Sequence, residues 1–462
     1  MVRLVVYADI SSYPHIDINE KCWTTLGKNK SQANFQLSTK SINQTLEAIK
    51  WFLWTAEQAD AKAVVATASS AVRDAANQKD FLRQVKDETG LAVHVLSEEQ
   101  EARLSAIGAH ISMPDADGVV VDLGGGSLEL CQTKGRKRYE SFPFGALTLA
   151  KDFATPPKAQ KYTAAQLAKT KWLAKDQPRD LILLGSGMRS LARLHMAEVG
   201  YTLKMLHDYR ISTKEAKAFL TKFIRGTIDR RLPGMDRTWR ELLPYRAAVV
   251  LALLENTKAE QVRFTNFGPR EGLLFSQCYD TPKDEDLLIA YVEDLAIREG
   301  RGLAYAHGLA GAAEKIFPKV EKPLLYAAAC LAESCWREQA IHRAKRAFDR
   351  IVGGAYVAAD HRTRARLALI GFFRHEDALR PGMQILFRHV LSDADVLQAR
   401  RIGAFFHFAA LLNPAFDGDF DHVQFSKKRN GSLKVKPAKD LPSSHCGVVQ
   451  TRLEILNKLL VR

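Results

Sequence analysis

The residue pattern with the most specific chemistry is a strand followed by a glycine-rich turn. An apolar run at 119–121 leads into Asp122-Leu123-Gly124-Gly125-Gly126-Ser127-Leu128-Glu129. Glycine has no β-carbon, so successive N–H groups of such a turn can point toward one anion. Asp122, at the strand end, supplies the oxygen ligands that Mg²⁺ prefers. The pattern predicts a phosphate-binding turn beside a metal-binding acid, and the alternative is a glycine-rich hairpin turn without a ligand.

A second small-residue turn follows another apolar strand. Gly185-Ser186-Gly187 comes directly after Leu181–Leu184 and precedes a helical segment. Two strand–turn elements of this kind suggest two phosphate-binding loops in one site. On its own, this turn is equally compatible with an ordinary strand-to-helix connection.

Charged residues that could complete a hydrolytic site lie upstream of these turns. Glu98, Glu99 and Glu101 crowd the first turns of a predicted helix, where carboxylates often only complement the helix dipole. A hydrolase also needs a carboxylate to orient and deprotonate water, and the residues alone do not choose among the three. Arg73 could bind a phosphate with two N–H groups, or form a surface ion pair with Asp74.

Charge and composition restrict the partner and the compartment. The 462 residues carry a net charge of +15, which suits nucleic acid, an acidic membrane surface or polyphosphate. The motifs favour a phosphate polymer over nucleic acid. Six scattered cysteines indicate free thiols in a reducing cytosol. No apolar run reaches the roughly 18 residues of a membrane span, so a cytoplasmic protein without a membrane partner is expected.

Hydrophobic periodicity predicts an α/β fold with a largely parallel sheet in the first part of the chain. The predicted strands are Val2–Tyr7, Ala63–Ala66, Leu91–Leu96, Gly118–Asp122, Leu181–Leu184, Val262–Asn266 and Gly272–Phe275. The predicted helices between them include Ser41–Ala56, Asp80–Thr89 and Glu98–Ile107.

Strand patterns end near residue 280, and long helical patterns follow. They cover Asp284–Glu299, Lys322–Trp336, Arg362–Arg374 and Ala399–Leu412. The pair Asn430-Gly431 suits a hairpin turn within a basic tail. The tail carries Lys427, Lys428, Arg429, Lys434 and Lys436, which could guide a long anion or form an ordinary solvated basic surface.

Taken together, the motifs resemble the exopolyphosphatase/guanosine pentaphosphate phosphohydrolase (Ppx/GppA) family of the actin-like ATPase superfamily. The matching segments are Ala71-Val72-Arg73-Asp74-Ala75, Glu101-Ala102-Arg103-Leu104, the Asp122–Glu129 turn, Phe144-Gly145-Ala146-Leu147, Leu191-Ala192-Arg193-Leu194 and Arg270-Glu271-Gly272-Leu273. The resemblance implies two actin-like (ribonuclease-H-like) α/β lobes, at 1–120 and 121–278. An all-helical, degenerate HD-like domain is expected at 279–462.

The resemblance also implies roles for individual residues. Glu101 would activate water, and Arg73 would hold a phosphate. Asp122 and Glu129 would bind Mg²⁺, while the turns at 124–127 and 185–187 would bind phosphates. A monovalent cation such as K⁺ is a further candidate cofactor. The implied substrates are inorganic polyphosphate and guanosine pentaphosphate, and the implied assembly is a homodimer.

Two departures from the family pattern qualify these expectations. Family members open with a strand carrying Asp-x-Gly-Ser-Asn-Ser, whereas this sequence begins at the next strand. Either the true start lies upstream, which is the expectation, or the protein is a catalytically weak polyphosphate- or alarmone-binding protein. The helical domain reads Cys330-Leu331-Ala332-Glu333 without a His-Asp pair, so no second active site is expected. The family-specific Glu101-Ala102-Arg103-Leu104 argues against a sugar or acid kinase.

Overall fold

The computed structural model of the protein forms two compact units. The first comprises residues 1–197 and 206–281, and the second comprises 198–205 and 282–462. The structure describes residues 1–8, 13–27, 34–134, 138–176, 178–228, 237–278, 286–413, 415, 417–420, 423–437 and 447–461. The predicted start of the helical domain, after residue 278, lies close to this boundary. The division of the first unit at 120/121 stays a prediction.

The first unit alternates strands with helices, as predicted. Its strands are β1 (Val2–Ala8), β2 (His15–Cys22), β3 (Ala66–Ala68), β4 (Val93–Val95), β5 (Gly118–Leu123), β6 (Leu128–Gln132), β7 (Tyr139–Phe142), β8 (Asp180–Leu184), β9 (Tyr209–Ser212) and β10 (Gln261–Phe264). Its helices are α1 (Thr39–Gln58), α2 (Ser70–Arg73), α3 (Gln78–Thr89), α4 (Glu98–Ser112), α5 (Ala146–Asp152), α6 (Pro156–Leu167), α7 (Lys171–Lys175), α8 (Ser186–Glu198), α9 (Thr213–Ile224), α10 (Arg237–Asn256) and α11 (Pro269–Leu273).

Six of these strands form one sheet in the order β7-β6-β5-β8-β10-β9. The three central strands, β5, β8 and β10, run parallel, and the outer strands pair antiparallel. Val119, Val120 and Val121 are at most 1% exposed because helices cover both faces of a parallel sheet. In the β5–β8 register Asp122 lies opposite Leu184. The turns that follow β5 and β8 therefore lie next to each other at the same edge of the sheet.

The N-terminal strands form two separate two-stranded sheets. β1 pairs antiparallel with β2, and β3 pairs parallel with β4. The predicted strand at 63–66 is shifted, since the observed β3 begins only at Ala66. Among the described residues, β1 and β3 therefore belong to different sheets. Buried side chains of α1 and α3, among them Leu46, Phe81 and Val85, form the core beneath these strands.

One predicted strand, Gly272–Phe275, is wrong. Residues 269–273 form α11, and Leu274–Cys278 continue as a short π-helix. Short apolar runs do not separate a strand from a buried helix, because both place all their side chains in the core. Here Pro269 at the first helical turn fixes a helical start.

The opposite edge of the central sheet is closed by a buried charge network. The Arg263 side chain is 0% exposed and contacts carboxylates of Asp208 at 2.7 Å, Asp115 at 2.8 Å and Asp180 at 3.3 Å. Arg210 adds a second guanidinium, 2.6 Å from Asp208. Opposite charges surround each buried group, so the network offsets the cost of burying them.

The second unit is helical, as predicted, but it is not all-helical. Its helices are α12 (Leu287–Arg298), α13 (Leu303–Ile316), α14 (Lys322–Leu331), α15 (Ala340–Gly353), α16 (His361–Phe373), α17 (Gln384–Phe387), α18 (Asp393–Leu412) and α19 (Gly447–Val461). An antiparallel hairpin, β11 (Val423–Lys427) and β12 (Leu433–Pro437), lies between α18 and α19. The Asn430-Gly431 turn predicted it. Among the described helices, none is both long and apolar enough to cross a membrane.

Candidate active site

The predicted glycine-rich turn connects β5 and β6 and is therefore a hairpin turn. The Gly124 N–H donates to the Ser127 carbonyl at 3.0 Å, which closes the turn. The alternative predicted from the sequence, a glycine-rich hairpin turn, is thus correct about how β5 and β6 are connected. It does not exclude a ligand, because the turn leaves several N–H groups unused.

The carbonyl groups of the turn are held by the start of α5. Ala146 N–H donates to the Gly124 carbonyl at 3.1 Å, and Leu147 N–H donates to the Gly125 carbonyl at 2.8 Å. The N–H and C=O of a trans peptide point in opposite directions. The N–H groups of Gly125 and Gly126 therefore point away from α5. Together with the Ser127 N–H, they donate to no described residue.

This contact explains the Phe144-Gly145-Ala146-Leu147 motif. A β-carbon on Gly145 would lie 2.5 Å from the carbonyl carbon of Gly125, which is closer than real contacts allow. Only glycine lets α5 approach the turn this closely. The motif therefore positions the N–H groups of the turn.

Two carboxylates flank the turn on adjacent strands. Asp122 on β5 lies directly opposite Glu129 on β6, so both side chains are on one face of the sheet. Burial, helped by repulsion from Glu101, raises the pKa of Asp122 to about 6. Burial also raises the pKa of Glu129 to about 7; a hydrogen bond from Ser127 opposes this shift, and repulsion from Asp122 adds to it. Both groups therefore keep their proton to a higher pH than an ordinary carboxyl group does.

Glu101 belongs to the same group of acids. It lies in the first turn of α4, and Ser105, one turn later, donates to Asp122 at the long distance of 3.5 Å. The Ser97 cap and Gln100 form a reciprocal capping box that fixes where α4 begins. Glu99, by contrast, pairs with Arg103 at 2.6 Å on the exposed side of the helix.

Arg73, which the resemblance assigned to phosphate binding, lies beside Glu101. Its Nη1 donates to Glu101 Oε2 at 3.1 Å and to the Leu96 carbonyl at 2.8 Å. The side chains of Arg73 and Glu101 are 16% and 22% exposed, so both reach solvent. Arg73 Nη2 is also 3.8 Å from Glu98.

The second predicted turn, at residues 185–187, begins α8. Gly185 carbonyl accepts from Arg189 N–H at 3.1 Å, which closes the first helical turn. The N–H groups of Ser186, Gly187 and Met188 have no acceptor among the described residues. A helix start with free N–H groups attracts anions. The turn is next to the Gly124–Ser127 turn because β5 and β8 are neighbours.

A candidate site residue that the sequence interpretation missed is Arg246 on α10. Its Nε would lie 2.2 Å from a β-carbon on Gly187, so the guanidinium rests on that glycine. The residue is 6% exposed, and burial lowers its pKa to about 10. Nε and Nη1 have no hydrogen-bond partner, and the guanidinium lies over the Trp239 ring at 4.4 Å. A lone arginine within the apolar run 242–254 was the available signal.

Arg189, on α8, is a second missed guanidinium. Its side chain makes no hydrogen bond or ion pair with a described residue, and its charge lowers the pKa of Asp122 against the larger effect of burial. Burial and the neighbouring Arg193 lower the pKa of Arg189 itself. The site therefore combines buried carboxylates with two guanidinium groups, those of Arg189 and Arg246, that form no ion pair with a described residue.

The predicted basic residues of the second unit lie on the β11–β12 hairpin. Lys434 and Lys436 are exposed on the outer face with Gln424 and Ser426, and Lys428 and Arg429 occupy the turn end. Lys427 instead lies 5.5 Å from the Phe317 ring. Burial lowers the pKa of Lys427, so this residue is less suited to guide an anion.

In the second unit, a buried ion pair lies where the family resemblance implies a degenerate HD motif. Glu333 is 3% exposed, and its Oε1 accepts from Arg374 Nε at 2.8 Å and Nη2 at 2.6 Å. The described cysteines, Cys22, Cys131, Cys330 and Cys335, are free thiols, as predicted.

Two family profiles match most of the chain. The Ppx/GppA phosphatase family matches residues 5–280, and the profile "Exopolyphosphatase, C-terminal" matches residues 288–462. The bifunctional 3-dehydroquinate synthase/phosphatase of Fusobacterium nucleatum is 25% identical over 236 residues, 47% of this chain and 35% of that protein. Retrograde regulation protein 2 of Saccharomyces cerevisiae is 25% identical over 255 residues, 48% of this chain and 43% of that protein. The alignments thus span less than half of either relative.

Solved structures share the fold. The crystal structure of the type II variant of the Aquifex aeolicus Ppx/GppA phosphatase superposes with a TM-score of 0.51 at 24% identity, over 60% of this chain and 95% of that chain. This likeness, together with the second profile and the helices at 287–461, confirms the predicted fold class of an α/β part followed by a helical domain. Since the first profile alone covers more than half of the sequence, the chain belongs to the Ppx/GppA phosphatase family.

Proposed function

We propose that the chain is an exopolyphosphatase that releases terminal phosphates from inorganic polyphosphate with the help of Mg²⁺. The observation that carries the proposal is the turn at 124–127. The N–H groups of Gly125 and Gly126 point away from α5 because α5 holds the Gly124 and Gly125 carbonyls, and these two groups and the Ser127 N–H donate to no described residue. They lie beside the strand pair of Asp122 and Glu129, and a phosphate bound to Mg²⁺ needs both kinds of group.

The acidic residues fit a divalent cation of a particular kind. In the part of the chain that the structure describes, no three His, Cys, Asp or Glu side chains converge to hold one metal ion. Asp122 and Glu129 would therefore be at most two direct ligands. Mg²⁺ commonly binds through one or two carboxylates, with water and substrate phosphate as its other ligands. When bound, it would neutralise phosphate charge during P–O cleavage.

Arg73 would link substrate binding to the release of the catalytic base. Without substrate, its Nη1 holds Glu101 at 3.1 Å. A terminal phosphate would compete for the same guanidinium, since arginine binds phosphate oxygens with paired N–H groups. Glu101 would then be free to accept a hydrogen bond from water next to the phosphate.

The reaction uses one water for each phosphate released. Glu101 would orient this water and accept its proton while the oxygen attacks the terminal phosphorus in line. The bond from phosphorus to the bridging oxygen breaks, and the shortened chain leaves with that oxygen. The N–H groups of Gly125, Gly126 and Ser127 would stabilise the charge on the transferred group. Arg246, near the turn at 185–187, would bind a phosphate further along the polyphosphate.

The test is phosphate release from polyphosphate with Mg²⁺ by the unchanged chain, Glu101→Gln and the matched control Glu99→Gln. Glu99 lies on the same helix turn but pairs with exposed Arg103. Loss of a general base lowers turnover by about 10²- to 10⁴-fold, so Glu101→Gln should show such a loss and the control should not. Equal turnover by the Glu101 variant would refute the assignment. Thermal midpoints of both variants show whether each is folded.

A second candidate is a polyphosphate- or alarmone-binding protein with weak catalysis. The observation that favours it is the Arg73–Glu101 pair, since a carboxylate held by arginine is a poor base. Tight polyphosphate binding with no Mg²⁺-dependent phosphate release would support this candidate. Comparing polyphosphate with guanosine pentaphosphate in the same assay identifies the preferred substrate.

The exposed residues of the β11–β12 hairpin are proposed to guide long chains. Reversing the charges of Lys434 and Lys436 to Glu should weaken binding of long polyphosphate more than of short polyphosphate. A uniform effect on both lengths would contradict guidance. The homodimer stays a prediction, which analytical ultracentrifugation of the purified chain tests.

A further inference from the structure

A pocket lies beside the face of α4 that carries Gln100 and Leu104, and Glu101 is not among its lining residues. Its volume is about 340 Å³, and its apolar wall is formed by Val65, Leu96, Leu104 and Leu273. Small-molecule sites are concave and mostly apolar, with volumes from about 300 Å³ upward. The pocket falls at the lower end of this range.

The helix itself separates the pocket from the acidic site. Gln100 and Leu104 are four residues apart and so lie on one face of α4, which lines the pocket. Glu101 and Ser105 form the next such pair, about 100° further around a helix with 3.6 residues per turn. Ser105 is directed at Asp122. The pocket is therefore distinct from the site proposed for hydrolysis.

The pocket exposes apolar surface to water. Val65 is 55% exposed and precedes β3, whereas Leu96 and Leu104 are 6% and 9% exposed. Removing such surface from water is favourable at about 25 cal/mol per Å². A ligand with a flat apolar face would therefore be stabilised by covering the apolar wall of the pocket.

Polar groups with unused hydrogen-bonding capacity project into the same pocket. Thr67 on β3 lies opposite His94 on β4, and the alternating residues Ala68 and Val95 pack into the core on the other face. Neither Thr67 nor His94 has a hydrogen-bond partner among the residues that the structure describes. Gln100 Oε1 accepts from Ser97 N–H at 2.9 Å, which leaves the amide Nε2 free to donate.

We propose that this pocket binds a planar heteroaromatic ring of the nucleobase type. A nucleobase has apolar faces for the leucine and valine wall, and donors and acceptors at its edge for Thr67, His94 and Gln100. The nearest cation, Arg103, is already neutralised by Glu99 at 2.6 Å. The ligand group in the pocket is therefore an uncharged ring and not a phosphate.

The test is calorimetric titration of the full chain with guanosine and adenosine, without polyphosphate. Thr67→Val removes one hydroxyl at similar volume. Gln100→Glu keeps an acceptor for the capping box but removes the amide donor. Each should weaken binding about three- to tenfold, since a hydrogen bond contributes on that scale. His94→Trp should fill the pocket and abolish binding, whereas exposed Glu57→Gln should leave it unchanged.

Two outcomes would overturn the proposal. If toluene binds and nucleosides do not, the pocket is a purely apolar cavity and the proposal is wrong. Nucleoside binding that is unchanged in Thr67→Val, Gln100→Glu and His94→Trp would place the ligand elsewhere. Glu101→Gln should bind nucleosides like the unchanged chain, so this result is independent of the proposed hydrolysis. Thermal midpoints identify any variant that has lost its fold.

Discussion

Replacing Glu129 by Gln should make the metal-free protein more stable at pH 8. The Glu129 side chain lies between the acids of the site and is 7% exposed. Burial is the main cause that raises its pKa from 4.5 to about 7. The unfolded chain ionises this group at its ordinary pKa. Above pH 7 the unfolded state therefore gains more from ionisation than the folded state does, which lowers stability.

The magnitude follows from the two pKa values. The shift from 4.5 to about 7 is about 2.5 units. At roughly 1.4 kcal/mol per unit, this amounts to about 3 kcal/mol. Glutamine imitates the protonated side chain, so Glu129→Gln should gain most of this free energy at pH 8. The gain should shrink to about 1 kcal/mol at pH 5 and vanish below the unfolded pKa.

Urea unfolding followed by tryptophan fluorescence measures this difference. Five of the six tryptophans, all except Trp336, belong to the first unit, so the signal reports mainly on the unit that contains Glu129. Exposed Glu57→Gln on α1 is the control and should show no such pH-dependent gain. Midpoints are compared at pH 8 and pH 5 in a chelating buffer.

At pH 8, adding Mg²⁺ should make the unchanged chain more stable than Glu129→Gln. The ion would stabilise the unchanged chain by binding its ionised carboxylates, and it would stabilise the glutamine variant less. If Glu129→Gln unfolds at lower urea than the unchanged chain at pH 8 without metal, the argument from burial is wrong.

Three further predictions concern other positions. Arg246→Met should weaken polyphosphate binding at least tenfold in calorimetry while retaining stability, because it removes a buried guanidinium with two unpaired nitrogens; unchanged affinity would exclude Arg246 from the site. Gly145→Ala should lower turnover more than tenfold, because its β-carbon would displace the turn at Gly125, and kinetics beside the thermal midpoint check this. Arg263→Met should lower the free energy of unfolding in urea by about 3–5 kcal/mol, because it leaves buried Asp180 and Asp208 with less compensating charge. The loss should be larger than for Arg210→Met, because Arg210 is partly exposed.

The sequence predicted the central part of the fold because its patterns there have one physical interpretation. The buried valines before Asp122 and the leucines before Gly185 fit a strand covered on both faces. The glycine turns marked the ends of these strands. The strand predicted at Gly272–Phe275 was wrong because a short apolar run suits a buried helix equally well. The outer strands β6, β7 and β9 carry polar residues and gave no strand pattern of their own.

The same limit applies to the candidate site. The family resemblance assigned Arg73 and Glu101 to one site but did not predict their ion pair, and 28 residues separate them in the chain. Arg246 was missed because nothing in an apolar helix indicates which glycine an arginine will contact. Tertiary packing decides this, and no local pattern encodes it.

The charges of the site explain why metal and substrate should bind together. The carboxylates of Asp122 and Glu129 favour protonation because they are buried near other acids. Arg189 and Arg246 remain without ion-pair partners, so the protein's own charges do not neutralise one another. A phosphate alone would satisfy the arginines but would repel the carboxylates. A Mg²⁺ ion held by Asp122 and Glu129 would compensate the carboxylates while the phosphate compensates the arginines. Each ligand should therefore raise the affinity for the other, and by linkage the two increases should be equal.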